Sequence, residues 1–367
     1  MKVLTVGGAM VDTIAIIQSD RIERMTMRNA DADFLLLEEG RKIEASQIST
    51  HVGGGAINAA VAMARQGHDV SSLVKLGRDH RADLVLQRLA DENVGTAHIV
   101  CDDDEPTGAS VLVASHERNA AIFTFRGANT CLEPDDVAAA NFGVDLLYVS
   151  SLSNNSADRF PQLVAAARAS GATVATNPGT RQLSARGNAF LDCLPNIDIL
   201  CMNAAEAAVL VPVLVAKCGE GGAPLSGGSS PDGHAASRLA QRGLTGGGFE
   251  MGLRRFFKGL RLFGAHSILV TDGVDGAYLA HGDRIFYCPA RRVDVVGTAG
   301  AGDAFASTLS AGLGAGASAK AALRAAACNA ASVVGAADTQ TGLLEAAALA
   351  HNVAAHADEL PVNEFPL

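Results

Sequence analysis

The segment V-D-V-V-G-T-A-G-A-G-D-A-F, residues 293–305, runs from an apolar stretch into a turn almost without side chains. It then reaches an acid, Asp303, where an alanine-rich helix begins. A helix start of this kind is an anion site. Its first N–H groups have no partner inside the helix, the helix dipole adds partial positive charge, and Gly300, Ala301 and Gly302 are too small to keep a phosphate away. The acid is the odd member of the set, because a carboxylate is repelled by bound phosphate. Its presence points to a proton acceptor for a hydroxyl that attacks the phosphate. The same residues also suit a plain strand-to-helix turn whose glycines serve close packing, so the rest of the chain has to decide.

Three further constellations bear on that decision. H-V-G-G-G-A-I-N-A-A, residues 51–60, is a second glycine cluster opening a helix. Glycines there let a ligand touch backbone, and Asn58, one turn in, offers a hydroxyl both a donor and an acceptor; a flexible loop before a helix is the competing reading. V-G-G-A-M-V-D, residues 6–12, ends a strand in small residues followed by Asp12, which either caps a turn or accepts two sugar hydroxyl protons at once. Asn203-Ala204-Ala205-Glu206 follows a strand and opens a helix. That is the pattern of a capping box, and a glutamate so placed can also hold Mg²⁺ through water.

The elements that must position these residues alternate along the chain. Strand-like apolar runs at 3–6, 146–149, 173–176, 197–202 and 267–271 are interspersed with alanine-rich helical stretches such as 56–66 and 160–169, which predicts an α/β fold with a mostly parallel sheet covered by helices on both faces. Two stretches break the rhythm. Residues 13–17, 34–37 and 43–51, then 97–100, 109–114 and 120–125, read as strands without intervening helices and predict a small β-sheet lid standing off the main domain. Residues 219–248, rich in glycine, read as a mobile loop, and 250–263 as an amphipathic helix with a solvated basic face around Phe256, Phe257 and Leu260.

Composition sets outer bounds. A chain of 367 residues with 48% hydrophobic and 19% charged residues has ample core for a large α/β domain. A net charge of −10 argues against nucleic acid as a partner, and no uninterrupted apolar run approaches membrane-spanning length. Seven cysteines, an odd number with no C-x-x-C pair, favour reduced thiols and a cytoplasmic location. Aromatic residues are 4% of the chain and tryptophan is absent, which leaves little with which to stack a nucleobase.

In this order the motifs resemble those of the ribokinase-like (PfkB) family of carbohydrate kinases, from residue 6 to about 342. V-G-T-A-G-A-G-D-A-F at 296–305 is the most specific element, G-G-G-A-I-N at 53–58 is similar to the family's sugar-side glycine motif, and F-R-G-A-N at 125–129, N-P-G at 177–179, residues 203–206 and V-T-D-G-V-D-G at 270–276 sit where relatives carry similar motifs. The resemblance implies a ribokinase-like kinase domain over 1–367, with lid strands at about 13–51 and 97–126 and a Gly-rich insertion at 219–248. It implies Asp303 as base and the N–H groups of Gly300, Ala301, Gly302 and Asp303 as anion hole. Asp12, Gly54 and Asn58 would hold the acceptor, Asn177, Thr271 and Gly273 would line the ATP site with Asn329 near the nucleobase, and Glu206 would help place Mg²⁺.

Two departures from the family pattern matter. Gly297 stands where relatives carry an acid that serves a monovalent cation, and Ser150 or Ser151 stands where a ribose-binding glutamate would fall. The expectation is therefore an ATP-dependent kinase for a sugar or sugar acid, dimeric through its lid, in which Ile14, Ile16, Phe34, Leu35 and Leu37 supply the apolar surface. A nucleoside kinase, with Phe34 and Phe123 as the base wall, and a non-catalytic sugar sensor are the alternatives.

Overall fold

The computed structural model describes the chain except residues 18–22, 27–32, 37–39, 41, 116–119 and 226–236. Its centre is a nine-stranded sheet in the order Asn363–Pro366, Arg284–Cys288, Ala277–His281, Ser267–Thr271, Ile199–Asn203, Thr173–Thr176, Leu146–Val149, Lys2–Val6 and Asp69–Leu73. From Asp69–Leu73 across to Ser267–Thr271 every pairing is parallel, and the strands beyond are antiparallel. Strands in such a sheet are buried on both faces, so alternate side chains of one strand feed two different cores. Leu147 and Val149 pack with the helices Phe160–Ala169, Thr180–Cys193, Ala204–Cys218 and Leu253–Leu262. Leu146 and Tyr148 pack on the other face with Gly55–Arg65, His80–Asp91, Ala301–Gly314 and Ala319–Val334.

A separate four-stranded sheet has the order Ala120–Phe125, Gly108–Ser115, Met10–Ile17 and Ala45–Gly53. It is the expected lid with two corrections. Residues 97–100 do not join it: Val100–Cys101 pairs with Lys75–Leu76 in parallel, fastened by Val100 N–H to Val74 O (3.0 Å) and Asp102 N–H to Leu76 O (2.7 Å). Lys75, sandwiched between Asp102 and Asp136, holds that segment against the main domain. Residues 34–36 lie in Asp33–Leu36, which forms its own hairpin with Glu23–Thr26; residue 37 falls outside the described residues, as do the side chains of Phe34 and Leu35.

The Gly-rich stretch also differs from expectation where it is described. Arg238–Arg242 is helical, and Leu244–Gly246 and Phe249–Met251 form a hairpin against the helix Ala204–Cys218. Leu225, Leu239, Leu244 and Met251 are buried in the core, the apolar anchors that a glycine count overlooks. The glycines serve contact here: a Cβ on Gly246 would lie 1.9 Å from Ala208 O. The following helix is Leu253–Leu262, and its basic residues are less solvated than expected, because Arg254, Arg255 and Arg261 donate to backbone carbonyls of Pro366, Glu220 and Gly282.

Candidate active site

Asn177, Asn203 and Thr271 stand at the carboxyl ends of neighbouring parallel strands, where an open α/β sheet leaves a crevice. Asn177 ties two strand ends together, its N–H donating to Val149 O and its Nδ2 to Cys201 O, both at 2.9 Å. The helix Ala301–Gly314 points its N-terminus into that crevice. A cavity of about 200 Å³ results, lined by Asn177, Glu206, Thr271, Gly300, Gly302 and Asp303 among others. Residues separated by more than a hundred positions thus converge as the sequence motifs predict. Gly273 lies just beyond Thr271 with open space around it (φ +55°), in the turn closed by Asp272 N–H to Gly276 O (2.8 Å).

Gly300 caps the helix in the left-handed region (φ 80°, ψ −12°) without any side-chain cap, so no capping side chain takes up the first N–H groups, and Gly300, Gly302 and Asp303 line the cavity at that helix start. A Cβ on Gly300 would meet Thr339 Cβ at 2.7 Å, whereas one on Gly302 would meet nothing within 4 Å. The two glycines therefore do different things. Gly300 permits a conformation and a close contact behind the turn, and Gly302 keeps the front open.

Asp303 is half-buried. The protein around it raises its pKa above the usual aspartate value, a hydrogen bond from Asn58 opposes the rise, and the nearby charge of Asp12 adds to it. Asn58 Nδ2 donates to Asp303 Oδ2 at 2.8 Å. The Asn58 carbonyl is already occupied, accepting from Thr339 Oγ1 (2.9 Å) and Gln340 Nε2 (3.0 Å), and the side chain is buried. This corrects the sequence expectation: Asn58 is turned toward Asp303, not toward an acceptor hydroxyl.

Asp12 sits in the lid strand opposite both Ser110 and His51, and Ser110 Oγ donates to Asp12 Oδ1. Burial raises its pKa, with the Ser110 hydrogen bond and His51 opposing. Gly53 makes the fit possible, since a Cβ there would lie 2.2 Å from Asp12 Oδ2. Gly54, at φ 98°, would bring a Cβ within 2.4 Å of Gly8 O, so this glycine allows the two small-residue turns to touch. Asn129, the last residue of F-R-G-A-N, completes the junction by bonding both Ala9 N (2.9 Å) and Ala9 O (2.8 Å). Gly55 looks out on Ser150 (3.0 Å from its virtual Cβ) and on Asp303 Oδ1 (3.4 Å), so both side chains border the same glycine.

Glu206 forms the complete capping box: Asn203 N–H donates to Glu206 Oε2 (2.9 Å) and Glu206 N–H to Asn203 Oδ1 (2.8 Å). It also lines the cavity, and burial together with the charge of Asp303 pushes its pKa up to about 7 against those hydrogen bonds. Asn329 does not reach the cavity. It is fully buried, Nδ2 donating to Thr308 Oγ1 (2.8 Å) and Oδ1 accepting from Leu344 N (2.9 Å), so its polar atoms hold two segments of the fold and the expected contact with a nucleobase is withdrawn. Thr339, Gln340 and Asn129 are contributors that the sequence did not single out for these roles.

Comparison with known proteins agrees with this geometry. Residues 23–217 and 253–347 match the description pfkB family carbohydrate kinase. A ribokinase of Staphylococcus aureus is 24% identical over 279 residues, 73% of this chain and 77% of its own, and a deoxyribokinase of Salmonella typhi is 26% identical over 294 residues, 80% and 82%. The structure of Arabidopsis thaliana ribokinase complexed with ribose and ATP superposes with a TM-score of 0.69 at 20% identity, covering 96% of this chain and 98% of that one.

The contrast between the two glycines of this turn is testable. Gly300→Ala is expected to lower unfolding stability by about 2 kcal/mol or more, from left-handed strain and the clash with Thr339. Gly302→Ala should leave the urea midpoint near that of the parent. Equal midpoints for both variants would show that Gly300 carries no such constraint.

Proposed function

Because this chain belongs to the pfkB carbohydrate kinase family and is a phosphotransferase, we propose that it transfers the γ-phosphoryl group of ATP to a hydroxyl of a sugar or sugar acid, as a single ribokinase-like domain over residues 1–367 working in the cytoplasm. The observation that carries this reading is Asp303, a carboxylate with raised pKa at the mouth of an uncapped helix start, next to a second acid on the lid. An anion site needs no acid, so an acid at this point is best explained as the base that receives a hydroxyl proton. On this reading the N–H groups of Ala301, Gly302 and Asp303 stabilise charge on the transferred group, Asp12 and the Gly53–Gly55 turn hold acceptor hydroxyls, and Asn177, Thr271 and Gly273 flank the nucleotide. Among the described residues no helix is long and apolar enough to cross a membrane.

The donor set fits a divalent metal brought in with the nucleotide. Among the described residues no three His, Cys, Asp or Glu side chains could hold a metal between them, and Glu206 is the acid that faces the cavity with Asp303. Mg²⁺ suits such a place, because it keeps water and phosphate oxygens and needs one or two carboxylates. Bound there, it would neutralise phosphate charge during transfer. Gly297 leaves no room for the acid that would serve a monovalent cation, since a Cβ there would lie 2.9 Å from Ala336 O.

The lid favours a sugar over a nucleoside and favours a second copy of the chain. Ser110, Asp12 and His51 put three polar groups in one row across the lid. Among the described residues the lid exposes Ile48, Val111, Ile122, Phe123 and Phe125, with Ile14 and Ile16 half-buried, and this apolar surface is what a second copy would cover in a homodimer.

Three outcomes are expected. Asp303→Asn should retain ATP binding by calorimetry while turnover on a panel of sugars, deoxysugars and nucleosides falls at least ~10²-fold. In the parent, the acidic limb of kcat/KM should lie above the ordinary carboxylate range, because the base works only when deprotonated and its pKa is raised. A variant within a few-fold of the parent would remove Asp303 from this role, and a nucleoside preferred over every sugar would overturn the acceptor class.

Glu206, its pKa pushed up to about 7 by burial, gives the second a sign. A metal beside it draws the proton off, whereas bound phosphate alone would draw one on. Calorimetry of Mg·ATP binding at pH 7 in buffers of different ionisation enthalpy should therefore report proton release that disappears in Glu206→Gln, and proton uptake would put the metal elsewhere. Third, K⁺ should activate weakly or not at all, and strong saturable activation by K⁺ over Na⁺ in the same assay would contradict the reading of Gly297.

A further inference from the structure

The amide of Asn58 has two ends of nearly equal shape and opposite hydrogen-bonding character, so what faces Asp303 depends on which end is captured elsewhere. Its carbonyl end is captured by Thr339 Oγ1 and Gln340 Nε2. Gln340 is itself an amide with the same ambiguity, and Arg88 removes it. Arg88 Nε donates to Gln340 Oε1 at 2.8 Å, and a guanidinium has no lone pair to offer in return. With Oε1 fixed on Arg88, Nε2 must point to Asn58, Asn58 Oδ1 must accept, and Asn58 Nδ2 must donate to Asp303. Each step follows from the one before it.

The backbone around Gln340 is held equally firmly. Its N–H donates to Asp338 Oδ1 (2.8 Å), and Arg65 Nη1 donates to Gln340 O (2.9 Å) and Leu343 O (2.8 Å). Arg65 and Arg88 share Glu92, at 2.6 Å and 2.9 Å, which keeps both guanidinium groups in place. Gln340 is buried, so water does not compete for its amide.

We propose that Arg88, Gln340 and Thr339 are positioning residues that polarise the Asn58 amide in one direction and so keep an N–H donor aimed at the base Asp303. None of them reaches the cavity; they act through Asn58. The inference rests on the kinase reading of Asp303 for its consequence in catalysis and on hydrogen-bond geometry for its existence. The other ionisable groups felt by or feeling Asp303 are Asp12 from the lid, Glu206 from the helix Ala204–Cys218 and Tyr148 from the central sheet, and none of them belongs to the relay.

Two substitutions at Gln340 separate positioning from packing. Gln340→Met keeps the volume and removes both hydrogen bonds, and Gln340→Glu keeps an acceptor for Arg88 while presenting oxygen in place of N–H to Asn58. With the sugar that the panel identifies, both should lower kcat by about 10- to 10²-fold with KM for ATP near that of the parent. Both should also move the acidic limb to higher pH, because a base that loses its donor is harder to ionise. Thr339→Val asks the same question from the second donor should the Gln340 variants fail to fold.

The ¹³C carboxyl titration of Asp303 in the full chain, assigned by its loss in Asp303→Asn, reads the relay without turnover. A midpoint that rises in the variants supports the relay even if the parent phosphorylates nothing, an outcome that would overturn the kinase reading alone. Parental kcat and an unmoved titration, or a lowered melting temperature with the titration unmoved, would overturn the relay and leave Gln340 a packing residue.

Discussion

A carboxylate that is to act as a base here must stay ionised where the protein disfavours its charge, and the hydrogen bond from Asn58 Nδ2 to Asp303 is the interaction that opposes that penalty. Much of the surrounding architecture serves it. The helix Gly55–Arg65 carries Asn58 and the helix Ala301–Gly314 carries Asp303, and the small side chains where they face each other let the two approach. A bulkier interface would lengthen a bond that has to stay near 2.8 Å. The turn after the helix Ala319–Val334 then reaches over both helix starts to supply Thr339 and Gln340, and Gly300 has no side chain so that this turn can lie against it.

The same constraint bears on two acids near enough for one to feel the other's charge. Asp12 and Asp303 both have raised pKa values, each mainly from burial, and Asp303 also feels the charge of Asp12. Each keeps one hydrogen-bond donor of its own, Ser110 for Asp12 and Asn58 for Asp303. Donors that differ in kind separate the roles. A serine hydroxyl also accepts, so Asp12 sits in a site ready to exchange hydrogen bonds with hydroxyl groups, whereas a locked amide gives Asp303 a fixed partner and a fixed orientation.

What the sequence made legible was whatever lies in contiguous residues. The strand and helix rhythm, the helix start at 300–303 and the capping box at 203–206 depend on neighbours along the chain, and all are found where they were read. Asn58 lies at the helix start where the sequence puts it, but its partners Thr339 and Gln340 are 281 and 282 positions away and could not be read from contiguous residues. Asn329 shows the reverse failure: set beside the nucleobase by the family resemblance, it is fully spent on Thr308 and Leu344. The Gly-rich stretch was read from its glycines and not from Leu225, Leu239, Leu244 and Met251, which are sparse in sequence and decisive in packing.

The division between rigid and mounted parts has a consequence for specificity. Asp303 and the turn before it belong to the main α/β body, while Asp12 is carried by the lid sheet, and the junction of Gly8, Ala9 and Gly54 that Asn129 pins helps bring the two together. An acceptor lying between them, on the reading given above, would give Asp12 hydroxyl donors and so spread its charge, which lessens the smaller contribution that Asp12 adds to the effect of burial on the pKa of Asp303. A molecule with the reacting hydroxyl but without its neighbours would leave Asp12 unpaired, and its charge would bear on the base undiminished. Recognition then also bears on the base, and substrate choice should show in kcat as well as in KM.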